Sequence, residues 1–290
     1  MSHTRHILAL SGGKDSSALA VYMSDPARWQ RALGLTDAKP RDSIPEMEYV
    51  FCDTGKELEE TYDYLFKLEA YLGKEIIRLN PERGFDHWLE VYGGYLPSPN
   101  MRWCTRMLKL KPYEDYIGDD DVVSYVGIRA DENRSGYIST KPNIRPVFPF
   151  KADGAKRDDV YRILEESGLG MPDYYDWRSR SGCFFCFYQR RSEWVGLKEN
   201  HPELYEKAKA YEKTNEESGE RFTWSTTESL VELEQPERME AIMDAQEKRR
   251  SRLSTRVNSN SLWDNLDHWH TADLLRDAES DEAGCSICHI

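Results

Sequence analysis

Six residues near the start of the chain, Ser11-Gly12-Gly13-Lys14-Asp15-Ser16, interrupt two apolar runs. The run before them, Ile7-Leu8-Ala9-Leu10, reads as a short buried strand, and the run after, Ser17 to Met23, as a helix with Leu19 and Met23 on one side. Strand, glycine turn and helix together present backbone N–H groups and a positive helix end to a phosphate. Two glycines let the main chain approach an anion closely; Ser11, Ser16 and Ser17 can donate hydroxyl hydrogen bonds, and Lys14 supplies positive charge. Asp15 would repel a bare phosphate, so it is expected to cap the helix or to act through Mg²⁺. The loop is not a Walker A motif, because Lys14 is followed by Asp15 rather than by Ser or Thr. Taken alone, an ordinary strand–helix turn with Asp15 as its cap is the competing reading.

The second unusual feature is sulfur. Six cysteines are present, Cys52, Cys104, Cys183, Cys186, Cys285 and Cys288, and the last four form two CxxC pairs. In a cytosolic chain such residues read as metal or redox groups rather than disulfides. Cys104, Cys183 and Cys186 converging on folding would hold a [4Fe–4S] cluster or, as the less favoured occupant, zinc. A tail thiol, Cys285 or Cys288, would complete the set; Cys288 is the expected fourth ligand. The competing reading is inert thiols packed among Trp103, Phe184 and Phe185. Cys52 falls inside an apolar run and is expected in the core.

These groups need a frame. "EYVFCDTG" (48–55) reads as a second strand ending in a polar turn, and "KELEETYDYLFKLEAYLG" (56–73) as a helix closed by Gly73. "EIIRLNP" (75–81) is a third strand, 85–92 and 103–117 are helical, and "VVSYVGIRADEN" (122–133) is a strand running into a charged turn. The alternation predicts an α/β fold, a doubly wound parallel sheet with helices on both faces, with ligands beyond the C-terminal strand ends. Ser11–Ser16, Asp53–Gly55 and Gly127–Arg134 all fall there. Residues 26–46, with three prolines, read as a surface insertion. From about 158 the pattern is mostly helical, with long candidate helices near 189–213 and 228–250. The expected division is a nucleotide-binding domain over 1–157 and a helical, cysteine-containing region over 158–290 packed on it.

Composition sets the bounds. The 290 residues carry 39% hydrophobic and 12% aromatic side chains, enough for a large core. Mean hydropathy is −0.76, and no apolar stretch is long enough to span a bilayer, so no membrane partner is expected. The opening MSHTRHILAL has no secretory cleavage pattern, and the cytoplasm is the expected location. With 52 acidic against 39 basic residues the net charge is −13, which argues against a protein that coats nucleic acid by charge alone. A basic run at 248–256 is better read as a solvated helix end than as a nucleic-acid patch.

The loop resembles the S-G-G-x-D-S motif of the PP-loop ATP pyrophosphatases, of the adenine-nucleotide α-hydrolase-like (HUP-type) superfamily. "FCDTG" (51–55), "WCTRMLKLKP" (103–112), "GIRADENRSGY" (127–137) and "SGCFFCFYQRR" (181–191) resemble, in order, the further motifs of the phosphoadenosine phosphosulfate (PAPS) reductase-like branch. The resemblance implies ATP or an adenylylated nucleotide as ligand, with Mg²⁺. It also implies cleavage between the α and β phosphates and an adenylylated intermediate that a sulfur or nitrogen nucleophile displaces. On that basis Ser11, Gly12, Gly13, Lys14, Asp15, Ser16 and Ser17 hold the leaving pyrophosphate, and Asp53, Thr54 and Gly55 lie near the adenosine. Arg129, after Gly127 and Ile128, binds phosphates, with Asp131 and Arg134 as second candidates. The chemistry spreads negative charge over oxygens, and so demands preorganised N–H donors and cations; Lys14, Asp15 and Arg129 are the catalytic candidates.

Two departures qualify the resemblance. Trp103 stands where iron–sulfur sulfonucleotide reductases carry a second cysteine, and Gly284-Cys285-Ser286-Ile287-Cys288-His289 only partly matches the reductases' nucleophilic tail. Cys285 remains a candidate nucleophile or sulfur carrier. The nearest likeness is to the ATP-pyrophosphatase component of DNA phosphorothioation systems of the Dnd and Ssp types, which implies a cysteine desulfurase as sulfur donor and a DNA target. Contact would be local, through Arg178, Arg180, Arg190, Arg191 and the 248–256 run, or through partner subunits. The alternatives are a thioredoxin-dependent PAPS or adenosine phosphosulfate reductase and a non-catalytic nucleotide-binding partner.

Overall fold

The computed structural model describes residues 4–35, 45–133, 141–214, 221–225 and 227–258. The chain runs β1 (Arg5–Leu10), α1 (Lys14–Ser24), α2 (Pro26–Leu33), β2 (Met47–Cys52), α3 (Glu59–Leu72), β3 (Ile76–Leu79), α4 (Phe85–Val91) and α5 (Trp103–Thr105). A π-helical turn, Arg106–Leu110, joins α5 to α6 (Lys111–Ile117), and β4 (Val122–Tyr125), β5 (Ile144–Val147), α7 (Pro149–Asp153) and α8 (Arg157–Ser167) follow. Beyond a short 3₁₀ turn at Asp173–Asp176 lie α9 (Arg191–Asn200), α10 (Pro202–Ala210), the two-residue strands β6 (Lys213–Thr214) and β7 (Arg221–Phe222), α11 (Leu230–Leu233) and α12 (Pro236–Asn258).

Strands β1–β5 form one parallel sheet in the order β3-β2-β1-β4-β5. The fold is the expected doubly wound α/β sheet with a helical C-terminal part. Side chains alternate along β1: Leu8 and Leu10 face α1, α3 and α8, whereas Ile7 and Ala9 face Tyr113 and Ile117 of α6. Both faces are therefore covered, which is why these strands read as nearly unbroken apolar runs. α1 is buried all round, including Lys14 and Asp15, so its one-sided apolar reading does not hold. The C-terminal helices bury a separate aromatic cluster in which Phe85, Trp103, Phe184, Phe185, Trp194, Tyr205 and Trp224 meet.

Several elements differ from the sequence reading. Residues 26–33 of the expected insertion form α2, started by Asp25 accepting from the Arg28 N–H and anchored by fully buried Trp29. β5 has no alternating apolar pattern and carries Pro146, which an edge strand tolerates because its outer N–H positions need no partner. The long helix near 189–213 is interrupted at His201, whose backbone leaves the helical region before Pro202. That near 228–250 is likewise divided before Pro236.

Candidate functional site

The strand order reverses between β1 and β4, and the candidate site lies at that switch point, beyond their C-terminal ends. Gly12 follows β1 with φ +74°, and a Cβ there would stand 2.5 Å from Thr61 Cγ2, so only glycine fits. Gly13 caps α1 in extended conformation, and a Cβ would meet Ser181 Oγ at 2.7 Å and Tyr175 Oη at 3.2 Å. The loop is tied internally: the Ser11 N–H donates to Ser16 Oγ (3.1 Å), the Gly13 N–H to Ser11 Oγ (3.3 Å), and Ser16 Oγ to the Gly13 carbonyl (3.2 Å). The Ser17 hydroxyl is buried with no hydrogen-bond partner, an unsatisfied group inside the loop's own helix.

Asp15 does not cap α1. Its Oδ1 accepts from Arg129 Nη1 at 2.7 Å and its Oδ2 from Lys14 Nζ at 3.2 Å. Arg129, 2% exposed, also pairs with Asp131 (3.0 Å) and Glu132 (3.0 Å). Burial alone would favour the neutral guanidine, but the Asp15, Glu132 and Asp131 carboxylates outweigh it and hold Arg129 firmly charged. Gly127 permits the contact, since a Cβ there would lie 2.9 Å from the Asp15 carbonyl. Arg129 and the phosphate loop are thus brought together; Arg134 lies outside the described residues.

At the end of β2, Asp53 Oδ1 accepts from the Gly55 N–H (2.9 Å) and from Tyr62 Oη (2.7 Å). Thr54 donates to Glu57 from both N–H and Oγ1 (3.2 and 2.7 Å), and its Oγ1 lies 3.3 Å from Cys183 Sγ. Burial pushes the Glu57 carboxyl up despite Lys109 and the Thr54 hydroxyl. The cysteine segment therefore abuts the β2 turn.

Cys104 and Cys183 are each within electrostatic reach of Cys186 and of Lys109 on the π-helical turn, a feature that recurs at functional sites. Burial pushes the Cys104 thiol up to about 12 and raises Cys183 as well. Among the described residues no three His, Cys, Asp or Glu side chains form a group that could hold a metal ion. Of the expected set Cys104, Cys183, Cys186 and Cys288, Cys183 Sγ rests on Thr54 and Glu57, and Cys288, like Cys285, lies outside the described residues. Cys52 is buried in β2 as expected, its thiol also pushed up to about 12 by burial.

Arg178 is also corrected. It is 1% exposed and cannot meet DNA; its Nη1 and Nη2 donate to the carbonyls of Gly182 (3.1 Å) and Cys183 (2.7 Å). Glu193, also buried, accepts from the Ser179 N–H (2.8 Å) and Oγ (2.6 Å) and from the Arg190 N–H (2.9 Å). Desolvation would raise its pKa, but the Ser179 and Arg190 bonds prevail and lower it. Sequence reasoning also missed Tyr174, Tyr175 and Ser181. Tyr174 Oη donates to the Gly12 carbonyl (2.7 Å), Tyr175 Oη accepts from the Lys14 N–H (3.1 Å), and Ser181 Oγ donates to Ser11 Oγ (3.2 Å). The only available signal was their nearness to the Cys183 pair, since hydrogen bonds spanning some 160 residues leave no local pattern.

Residues 5–148 match the family described as phosphoadenosine phosphosulfate reductase domain. Two uncharacterized proteins of Methanocaldococcus jannaschii are 31% and 25% identical, each over 69% of this chain; the chain spans only 40% and 45% of their lengths. Among solved structures, the fold resembles a phosphoadenylyl-sulfate reductase from Candida auris (15% identity, TM-score 0.44, covering 62% of this chain and 82% of that one). It also resembles a U34-tRNA thiolase with a [4Fe–4S] cluster from Methanococcus maripaludis (16% identity, TM-score 0.37, 72% and 71% covered). No helix among the described residues is long and apolar enough to cross a membrane.

Proposed function

Because residues 5–148 match the phosphoadenosine phosphosulfate reductase domain family, we propose that the chain is an adenine-nucleotide enzyme of the PP-loop kind. It cleaves ATP between the α and β phosphates and activates a target for sulfur incorporation. The observation that carries this reading is the glycine loop at the sheet's switch point, with Lys14, Asp15 and Arg129 buried beside the first turn of α1. In it, main-chain N–H groups of that turn and Lys14 Nζ bind the departing pyrophosphate. Asp15 orients Arg129 and Lys14 toward it, and Asp53, Thr54 and Gly55 meet the adenosine. Burial of these charges excludes water, so the intermediate is left for the intended nucleophile.

Both Asp15 oxygens already accept from cations. Asp15 is the carboxylate that would hold a Mg²⁺ arriving with the nucleotide, in exchange for one of these two cations. When bound, that ion neutralises charge developing on the phosphates. The target we propose is DNA, as in phosphorothioate modification, with a cysteine desulfurase supplying sulfur. Exposed Lys248, Arg249 and Arg250 on α12 are the cations offered for local contact.

The test is pyrophosphate release from ATP and Mg²⁺ by the full chain, with sulfide or a persulfidated desulfurase as sulfur source. Release that Asp15→Ala abolishes is the expected result. Sulfite production from an adenylyl sulfate with thioredoxin, without ATP turnover, would assign the reductase activity instead; nucleotide binding with no turnover at all would mark a non-catalytic partner.

A further inference from the structure

Segment 174–183 is pinned at two places. At one end Tyr174, Tyr175 and Ser181 bond to Gly12, Lys14 and Ser11 of the phosphate loop, and Lys14 Nζ lies 5.5 Å from the centre of the Tyr175 ring. At the other end Cys183 Sγ lies against Thr54 Oγ1 (3.3 Å); Arg178 grips the Gly182 and Cys183 carbonyls through its side chain and the Tyr174 carbonyl through its N–H (3.0 Å), which braces the stretch between them. The bond from Lys14 is the informative one. A main-chain N–H at the first turn of α1 donates to a tyrosine hydroxyl oxygen, in the direction such groups present to an anion. One N–H makes one good hydrogen bond, so a phosphoryl oxygen and Tyr175 Oη compete for it. The charged acceptor makes the stronger bond.

Resting on the reading of this loop as a phosphate site, we propose that Tyr175 and Ser181 couple anion binding to the position of Cys183. A phosphoryl oxygen accepting from the Lys14 N–H displaces the Tyr175 hydroxyl. Ser181 lets go of Ser11, and the braced stretch moves Cys183 off Thr54. The coupling is thermodynamically defined, because the two arrangements of the segment differ in who accepts from the Lys14 N–H. Tyr175 and Ser181 act as positioning residues, and the sulfur chemistry of the segment becomes available only when nucleotide is bound.

The experiment uses the full chain and two readouts: ATP affinity by calorimetry, and the alkylation rate of Cys183 by N-ethylmaleimide, resolved by peptide mass spectrometry. In the unaltered protein, saturating ATP with Mg²⁺ is expected to speed Cys183 alkylation by about fivefold or more, the equivalent of one neutral hydrogen bond. Tyr175→Phe, which keeps the ring, is expected to bind ATP a few-fold tighter and to alkylate fast with or without nucleotide. Ser181→Ala should reduce the nucleotide effect in the same direction. A purely structural role for Tyr175 would leave ATP affinity unchanged or weaker, and that result overturns the coupling. So does an unchanged or slower Cys183 rate while calorimetry shows ATP bound. If no nucleotide binds the unaltered chain, the phosphate-site reading itself fails, and calorimetry alone reveals it.

Discussion

The phosphate loop and the cysteine segment are neighbours built by opposite means. The loop is shaped by its own backbone: Gly12 in the left-handed region, Gly13 in close contact, serine hydroxyls closing short rings. The cysteine segment, 178–193, is shaped by buried charge: Arg178 holds carbonyls near one end, and Glu193 gathers donors from both. A backbone-defined loop can present its N–H groups to a ligand, whereas a segment tied by side chains can be released as a unit. That contrast suits an anion cradle beside a movable thiol.

The comparison can be broken in four places. Asp15→Ala, the largest effect, strips the buried Arg129 of its shortest ion pair. It should cost about 3–5 kcal/mol in urea denaturation and reduce pyrophosphate release by about a hundredfold or more. Phe185→Ala opens the aromatic cluster behind the cysteines, where Phe185 stacks on Trp224 at 5.0 Å. A loss of about 3–5 kcal/mol is expected with ATP affinity nearly unchanged. If affinity fell in step with stability, the two regions would be one unit and the contrast would be lost.

Gly12→Ala forces a Cβ toward Thr61 at a positive φ. About 1–3 kcal/mol of destabilisation is expected, with weaker nucleotide binding by calorimetry. Glu193→Gln has the smallest effect, about 1–2 kcal/mol at neutral pH, and its pH dependence sharpens the comparison. The folded Glu193 carboxyl titrates below its unfolded value. Its stabilisation is therefore complete above the ordinary glutamate range and is lost as pH falls through the lowered value. Denaturation midpoints of the unaltered and E193Q chains should converge in acid; a gap that persists there would exclude the charged carboxylate as the brace.

Much of this frame was legible beforehand, for physical reasons that also explain what was not. Buried parallel strands announce themselves as apolar runs, and the glycine turn and Gly73 are local backbone requirements, so β1 to β4, α1 and α3 could be read from neighbouring residues. β5 could not, because an edge strand with Arg145 and Pro146 carries no alternation. Lys14, Asp15 and Arg129 could be named, but not the pairing of Asp15 with Arg129 across 114 residues. Arg178 was misjudged because an arginine in a polar stretch reads as solvated, and only the fold shows it enclosed. The cysteines were found by spacing, yet spacing says nothing about side-chain direction, and Cys183 turns toward Thr54.

The π-helical turn at Arg106–Leu110 is an α-helix with one residue too many, taken up locally. Deleting a single position between Thr105 and Lys111 would close the turn as ordinary α-helix and leave the helix on either side in register. What the deletion would remove is the widened turn that sets Lys109 within electrostatic reach of Cys104 and Cys183.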